Sequence, residues 1–225
     1  MRVFLRELAA SSYSHMKRTR TDSLDPRKKP IQRRSRVTVE SIFEATIQVL
    51  LSKGLETITT TQIAERAGVG VGSLYQYFPN KSALLAALVQ RHVGEVVDVT
   101  IEACRSAHGA GIREMCETMM SAFVDAKTCR PEVSRALYLP SAAVNADAIV
   151  RAESIRCGQA VQQMLASARD ASFAEVQVVS RMLVGSIVAP TRAVIEGGGG
   201  RADFEKLKLH LTALAVGYLT EMSTA

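Results

Sequence analysis

The chain has 225 residues, which is room for one domain of ordinary size or for two small domains that share a core. Apolar residues make up 47% of the chain and charged residues 22%, so the composition excludes a disordered chain, and 14 glycines with 6 prolines exclude a collagen-like one. The most apolar stretch, 182–190, lies between Arg181 and Arg192 and is shorter than the roughly 20 residues that span a bilayer. We therefore expect a cytoplasmic globular protein without a membrane segment.

Positive charge is concentrated at the N-terminal end. Residues 1–36 carry 11 basic and 3 acidic side chains, a net charge of +8, whereas the whole chain carries +6. These residues show no sustained apolar periodicity, so we expect a disordered basic arm outside the core. Such an arm is compatible with a solvated tail and with contacts to DNA phosphates or to the minor groove.

Apolar periodicity and capping residues predict four helices in the first half of the chain, over residues 38–52, 60–67 and 71–78 and beyond Asn80. The spacing of Thr59 and Gln62 is that of a capping box, which opens the second helix. Pro79 ends the third helix, and the Asn80 side chain can cap the fourth.

Helical periodicity continues to the C-terminus, and no alternating strand pattern of useful length appears. We predict further helices over residues 112–127, 131–139, 142–169, 176–196 and 204 onward. Pro140 should stop the second of these helices, and Asp203 should cap the last. The spacing of Ser172 and Glu175 is that of another capping box. The fold class is therefore all-α.

The last helix carries apolar residues on two faces. One apolar stripe recurs at steps of three and four residues and consists of Phe204, Leu207, Leu211, Leu214 and Tyr218. A second apolar face is added by Leu209, Val216 and Leu219. A helix that is apolar on two faces needs two packing partners, as in a helix bundle.

The second and third helices, joined by a glycine turn, have the layout of a helix-turn-helix, whose second helix enters the major groove of DNA. Ser73, Gln76 and Tyr77 point away from the apolar face of the third helix. Hydroxyl and amide groups on that outer side can bond to base edges or to phosphates. The pattern favours DNA binding.

Residues 37–90 resemble the DNA-binding domain of the tetracycline-repressor (TetR) family of regulators, and the resemblance is carried by TTTQIAERAGV at 59–69 and GSLYQYFPNKSALL at 72–85. It implies an N-terminal three-helix DNA-binding domain, joined by a fourth helix to a C-terminal helical domain for ligand binding and dimerisation. The implied division is a basic arm over 1–36, the helix-turn-helix domain over 37–82 and the ligand-binding and dimerisation domain over 83–225.

The resemblance also assigns DNA contacts. It places Thr60 and Thr61 near the DNA backbone and the groove edge. Tyr77 and Lys81 should hold phosphates. The residues that face bases or sugars are Val71, Gly72, Ser73, Tyr75 and Gln76. The family usually has a polar residue where this chain has Gly70, and often a longer polar one at Val71. Base recognition is therefore expected to rest on Ser73 and Gln76, with Val71 against a thymine methyl group.

The candidate ligand site lies in the middle helices. Met115, Met119 and Phe123 share one face of the predicted helix over 112–127, and Tyr138 follows in the next. A methionine-rich stripe is typical of a core and also of adaptable ligand cavities, and the family's pocket lies among these helices. We expect no cofactor and no metal site, because Cys104 and His108 alone supply too few ligands. The four cysteines are expected to be free thiols.

These observations predict a DNA-binding transcriptional regulator that is not an enzyme. By the resemblance it is a repressor that binds a palindromic operator in double-stranded DNA as a homodimer, formed through its last two helices, and a small-molecule inducer releases it. A ligand-independent architectural DNA-binding protein is the first alternative. A helical-bundle enzyme is the second, although no catalytic constellation at meaningful spacing supports it.

Overall fold

The computed structural model describes residues 33–144 and 146–224, and within these ranges the regular secondary structure is helical. The helices are α1 (Arg33–Lys53), α2 (Thr60–Ala67), α3 (Val71–Tyr77), α4 (Lys81–Ser106), α5 (Ile112–Thr128), α6 (Pro131–Ala143), α7 (Asp147–Ala166), α8 (Val176–Glu196) and α9 (Arg201–Met222). The predicted all-α class is confirmed. The basic arm lies outside the described residues, except that residues 33–36 already belong to α1.

The first three helices pack around a set of fully or almost fully buried side chains that we name the N-terminal core: Ile42, Ile58, Ile63, Leu74, Phe78 and Leu84. The rings of Phe43 and Phe78 meet with centroids 5.5 Å apart. Because Leu74 and Phe78 hold α3 from its inner side, the opposite side of α3 is left toward solvent.

The turn between α2 and α3 has the geometry that its sequence predicts. The Thr59 hydroxyl accepts from the Gln62 N–H, and the Gln62 side chain accepts from the Thr59 N–H, both at 3.2 Å. At the other end Gly68 adopts a left-handed φ of +67°. Its N–H donates to the Glu65 carbonyl, and the Val69 N–H donates to the Ala64 carbonyl, which is the Schellman pattern of helix termination.

Helix α4 joins the two halves of the protein. Its first half contributes Leu84, Leu85 and Leu88 to the N-terminal core. Its second half enters a larger cluster that we name the C-terminal core, which contains Val96, Ile101 and Cys104 of α4 together with Met115, Met119, Met164, Leu183 and Leu211. Gly94 lies between the two halves. One helix is thus packed at one end on the helix-turn-helix and at the other on the C-terminal helices.

Two predicted helix boundaries are wrong around Pro140. Helix α6 continues through Pro140 to Ala143, and α7 begins at Asp147 rather than at residue 142. Pro140 is buried, and Val133 and Leu137 of the same helix pack in the N-terminal core. Burial of this face stabilises the helix past a residue that lacks an N–H, so tertiary packing outweighs the local preference.

The predicted caps of α8 and α9 also differ. Ser172 does not cap α8; its hydroxyl donates to the Thr224 carbonyl at 2.7 Å, and the Thr224 N–H donates to the Ser172 carbonyl at 2.8 Å, so the pair forms an isolated bridge. Asp203 is the third residue of α9 and accepts from the Gly200 N–H at 3.0 Å. Its carboxylate thus accepts from a backbone N–H that has no partner within the helix, as the acidic member of a capping box does.

The last two helices each have one buried and one exposed apolar face. The core-facing residues of α9 are Phe204, Leu207, Leu211, Ala215 and Leu219. The predicted stripe is therefore wrong at Leu214, which is half exposed, because 3.6 residues per turn shift the buried line to Ala215. Helix α8 is long and apolar enough to cross a membrane by length and composition alone, and a third of its most apolar window is buried in the protein. The charges of Arg181 and Arg192 therefore do not exclude α8 by the criterion of length and composition.

The left-handed turn at Gly68 gives a stability prediction. We expect Gly68→Ala to lower the free energy of unfolding by about 1 kcal/mol, because a Cβ is disfavoured at positive φ. Gly72→Ala is the matched control: it lies inside α3 with open space around its Cβ, so the substitution should raise stability by about 0.5–1 kcal/mol. Urea unfolding of both variants measures the difference. Equal effects would contradict the role given to Gly68.

Candidate nucleic-acid interface and ligand cavity

The outer surface of α3 presents the side chains that sequence reasoning selected. Gly72, Tyr75 and Gln76 are exposed, and Ser73 is half buried. A methyl group added at Gly72 would have no neighbouring atom within 4 Å, so the backbone there can approach a surface closely. The outer side of α3 thus carries the Ser73 hydroxyl, the Tyr75 phenol and the Gln76 amide, beside the backbone of Gly72 that no side chain covers.

The start of α2 lies on the same surface as α3. The Thr60 hydroxyl and the Tyr75 hydroxyl are 3.0 Å apart, which is hydrogen-bonding distance across the two helices. Thr61, one residue further along α2, is exposed. The structure therefore brings Thr60, Thr61, Tyr75 and Gln76 together on one side of the helix-turn-helix.

Val71 and Tyr77 are less available than the residues between them. Both are partly buried and pack against the N-terminal core. Each can present only part of its side chain to a partner. The contact with a thymine methyl group expected from Val71 can therefore use only the exposed part of its side chain, at the N-terminal end of α3.

Lys81 connects the start of α4 to the segment before α2. Its Nζ donates to the Ile58 carbonyl at 3.3 Å, and the Asn80 side chain accepts from the Ala83 N–H at 2.7 Å, as a cap. The ammonium group retains two further N–H donors, which could donate to an outer phosphate.

A cavity of about 570 Å³ lies among α4, α5, α6, α7 and α8. Phe123 and Tyr138 line it, as the sequence prediction has them. Met115 and Met119 are fully buried in the C-terminal core and do not reach its wall. Much of the wall is aliphatic, with Val93, Val96, Leu137, Val184 and Ile187 among its members.

Sequence reasoning missed the polar residues of this wall, among them His92, Lys127, Ser134 and Arg192. They are scattered over four helices, and no local pattern marks them. The Ser134 hydroxyl donates to the Lys127 carbonyl at 2.7 Å, which uses its single proton. His92 Nε2, 3.1 Å from the same hydroxyl, is then the donor, which assigns the tautomer with the proton on Nε2. Burial lowers the pKa of His92 to about 4, with a smaller contribution from the Lys127 charge.

Lys127 is the most unusual charge of the cavity. Burial lowers its pKa to about 8. Within the described part of the chain no carboxylate lies at ion-pair distance from it, and its Nζ is 5.7 Å from the centroid of the Tyr138 ring. The Arg192 guanidinium is 4.8 Å from the same centroid and pairs with Glu196. Burial raises the pKa of Tyr138 to about 12, so its hydroxyl stays protonated at neutral pH.

Ion pairs connect the cavity wall to the DNA-binding part. Arg130, just before α6, donates to both carboxylate oxygens of Glu44 on α1, at 3.0 and 3.2 Å. This hydrogen bonding lowers the pKa of Glu44. Arg91 of α4 pairs with Glu40 of α1. Because α6 carries residues of the cavity wall, among them Tyr138, α1 is tied to that wall.

Three of the four cysteines lack the lowered thiol pKa of a redox sensor. Cys104, Cys116 and Cys157 are buried, and burial raises the pKa of these thiols to about 12, 12 and 11. A reactive thiol needs a lowered pKa. Cys129 is exposed, and its thiol donates to the Ala126 carbonyl.

The partly buried His92 gives a pH prediction. Its pKa is about 4 in the folded protein against 6.5 for the free side chain, so between these values the unfolded chain binds more protons. The free energy of unfolding should therefore fall as the pH drops from 6.5 to 4, by up to about 3 kcal/mol from this residue. In His92→Gln the fall should be smaller by that amount, measured by urea unfolding across this range. His108→Gln, at an exposed site, is the control, and a His92→Gln variant with the wild-type slope would refute the assignment.

Two family descriptions match the chain. Residues 42–88 match "Bacterial regulatory proteins, tetR family", and residues 112–219 match "Tetracyclin repressor-like, C-terminal domain". The first match covers the helix-turn-helix and the start of α4, and the second covers α5 to α9 up to Leu219. Together they span most of the described structure.

Known proteins of similar sequence agree with this. The chain is 31% identical over 127 residues to the transcriptional repressor KstR of Mycolicibacterium smegmatis, which is 56% of this chain and 60% of that protein. It is 39% identical over 57 residues to the regulator YvkB of Bacillus subtilis, and 40% identical over 53 residues to the nucleoid occlusion factor SlmA of Haemophilus ducreyi. These stretches are 25% and 23% of this chain and 30% and 26% of those proteins. The chain thus covers less than two thirds of the length of each of these three relatives.

Solved structures share the fold at low sequence identity. A TetR-family regulator from Mesorhizobium loti superposes with a TM-score of 0.68 at 16% identity, over 86% of this chain and 100% of that one. FadR of Bacillus subtilis, solved in complex with stearoyl-CoA, gives a TM-score of 0.64 at 18% identity, over 79% of this chain and 97% of that one. With both family matches and this fold, the chain belongs to the TetR family of DNA-binding transcriptional regulators.

Proposed function

We propose that this regulator is a cytoplasmic repressor that binds a palindromic operator as a homodimer and is released by a small molecule bound in the cavity. The observation that carries the proposal is the position of the cavity. Its wall includes α4 and α6, and both helices also pack in the N-terminal core or pair with α1. We further propose that the residues before α1 form the arm, that the DNA-binding domain extends to residue 82 and that residues 83–225 form the ligand-binding and dimerisation domain.

In this proposal the exposed side of α3 lies in the major groove. Gln76 and Ser73 read base edges, Gly72 allows close approach, and Val71 meets a thymine methyl group with its free surface. Thr60, Thr61 and Tyr75 lie at the backbone and groove edge, while Tyr77 and Lys81 hold phosphates. An amide can bond adenine at two atoms, so Gln76 is the residue best suited to select a base.

The arm would supply the positive charge that the helix-turn-helix lacks. Residues 37–82 contain three basic side chains, Lys53, Arg66 and Lys81, and four acidic ones. A domain with this balance gains little affinity from phosphates, because that affinity comes from basic groups that displace counterions. The net charge of +8 on residues 1–36 lies directly before this domain in the sequence and would compensate for its lack of basic groups.

The homodimer is proposed to form through α8 and α9. Val178, Met182 and Val188 of α8 and Leu209 and Leu214 of α9 are large apolar side chains that remain exposed in the single chain. Gly185 of α8 and Gly217 of α9 are exposed too and allow two helices to pack closely. A second copy on this surface would cover the apolar side of α8. Two reading helices about 34 Å apart would then meet successive major grooves.

Release would be a shift between two arrangements of the dimer. A ligand that prefers a spacing unsuited to DNA lowers the population that binds the operator. The ties from α6 and α4 to α1 provide the physical connection. KstR is named a repressor and FadR was solved with stearoyl-CoA, which supports repression and a small-molecule ligand in this family.

A ligand-independent architectural DNA-binding protein remains the second candidate, because one relative, SlmA, is named a nucleoid occlusion factor. That likeness covers 53 residues, 23% of the chain. Selection of bound fragments from the host genome separates the two functions. A repressor enriches a few palindromic sites, whereas an architectural protein shows no preference over random DNA at physiological salt.

The role of Gln76 can be tested on an operator found in that way. Gln76→Ala should weaken operator binding about 10-fold or more and leave binding to random DNA unchanged, since a bidentate base contact contributes roughly 1–3 kcal/mol of discrimination. Gln163→Ala, at an exposed position of α7, is the matched control and should bind as the wild type does. Equal loss on operator and random DNA would reassign Gln76 to the backbone.

The proposed dimer surface can be tested with a pair of matched double variants. Met182→Glu with Leu209→Glu places two charges at positions that are 59% and 68% exposed in the single chain, so folding should survive. We expect monomers by analytical ultracentrifugation and at least a 10-fold loss of operator affinity, because two linked half-site contacts become one. Ile155→Glu with Leu139→Glu, at 58% and 69% exposure, should remain dimeric. A dimeric Met182/Leu209 variant would refute this surface.

A further inference from the structure

Four hydroxyl groups of the cavity wall already donate hydrogen bonds inside the protein. Thr100, Ser141 and Thr191 each donate to the carbonyl four residues earlier in their own helix, at 2.8, 2.6 and 2.7 Å. Ser134 donates to the Lys127 carbonyl. A hydroxyl has one proton, so none of these four can donate to a ligand without losing its present bond. To a ligand, this part of the wall is apolar or accepting.

Among the donors of the wall that are not used in this way, Lys127 and Tyr138 are partly buried, whereas Arg151 and Ser154 lie at exposed positions of α7. In the described part of the chain, neither Lys127 Nζ nor the Tyr138 hydroxyl has a hydrogen bond or an ion pair, and their contact is the cation–π distance of 5.7 Å. Lys127 is largely surrounded by protein. An ammonium group in such a place is costly unless an anion or another acceptor approaches it.

Three of the four neighbouring carboxylates have other partners, and the fourth is exposed. Glu153 pairs with Arg156 at 2.9 Å, and Glu196 pairs with Arg192 at 2.8 Å. Asp125, two residues before Lys127 on α5, pairs with Lys208 at 2.6 Å. Asp147 is exposed at the start of α7. The inner part of the cavity therefore has a positive charge that these carboxylates do not neutralise.

We propose that the cavity binds an organic anion with an apolar body and a single carboxylate, and that Lys127 Nζ and the Tyr138 hydroxyl hold the carboxylate. This inference rests on the proposed function for its biological meaning, since it names the chemical class of the inducer. The aliphatic wall accommodates the body, and about 570 Å³ lies within the roughly 300–1,000 Å³ of ligand pockets. A cationic ligand would meet Lys127 and Arg192 with like charge. A neutral ligand can accept a hydrogen bond from Lys127 but leaves its charge without a counter-charge.

The lowered pKa of Lys127, about 8, agrees with this picture. A lowered pKa is what partial burial without a counter-charge produces for an ammonium group, and at neutral pH the group is still mostly protonated. A bound carboxylate would favour the charged form and reverse the effect of burial.

The test uses three probes of equal chain length, decanoate, decanol and decyltrimethylammonium, with the full-length protein at pH 7 and titration calorimetry as the readout. We expect decanoate to bind at least 10-fold more tightly than the other two. In Lys127→Met this preference should disappear, with decanoate weakened at least 10-fold and decanol unchanged or tighter. Lys127→Arg should retain the preference, and Lys53→Met, an exposed lysine of α1, should behave as the wild type does.

Equal binding of decanol and decanoate to the wild type, an unchanged preference in Lys127→Met, or no binding of any probe would overturn the inference. The comparison of probes on the wild-type chain decides it even if Lys127→Met fails to fold. Operator release is measured separately. If decanoate binds through Lys127 and no ligand releases DNA, the inference stands and the proposed function fails. If a neutral compound releases DNA without dependence on Lys127, the proposed function stands and the inference fails.

Discussion

The packing of α4 in two cores is the constraint on which the rest of the structure depends. Its first half shares a buried cluster with α1, α2, α3 and α6, and its second half packs on α5 and α7. His92 and Val93, at the junction, line the cavity. Because interiors are close-packed, a change in the cavity that moves one half of α4 must be transmitted to the other half or absorbed at the junction. The helix-turn-helix and the cavity are therefore parts of one packed system.

Much of the N-terminal half could be predicted from the sequence, because its signals are local. The Thr59–Gln62 capping box, the left-handed Gly68 and the Asn80 cap each act within four residues, and each has the geometry that its sequence predicts. Leu74 and Phe78 fix which side of α3 is buried, so the exposed side follows from helical periodicity. The DNA contacts themselves remain proposals, and the partial burial of Val71 and Tyr77 depends on packing that no local pattern contains.

The cavity could not be predicted in the same way. Met115 and Met119 share a helical face with Phe123, but the cavity begins only at the Phe123 end of that face. Its polar residues come from separate helices, and which hydroxyls remain free is decided by bonds that form only in the folded protein. Pro140 shows the same limit: its local preference is to end a helix, and burial with Val133 and Leu137 overrides it. Periodicity identifies a buried face, but it does not tell a filled interior from a hollow one.

Gly94, between the two halves of α4, has a mechanical consequence. A glycine inside a helix lacks the side chain that stiffens the backbone, so the helix bends there at lower cost than elsewhere along its length. From Gly94 to Lys81 the helix runs 13 residues, a lever of about 20 Å at 1.5 Å per residue. A bend of about 10° at Gly94 would move the Lys81 end of α4 by roughly 3 Å. In a symmetric dimer the movements of the two copies would add or cancel, depending on the direction of the twofold axis. In the proposed mechanism, such a tilt would convert a small displacement beside the cavity into a larger one at the end of α4 next to the helix-turn-helix.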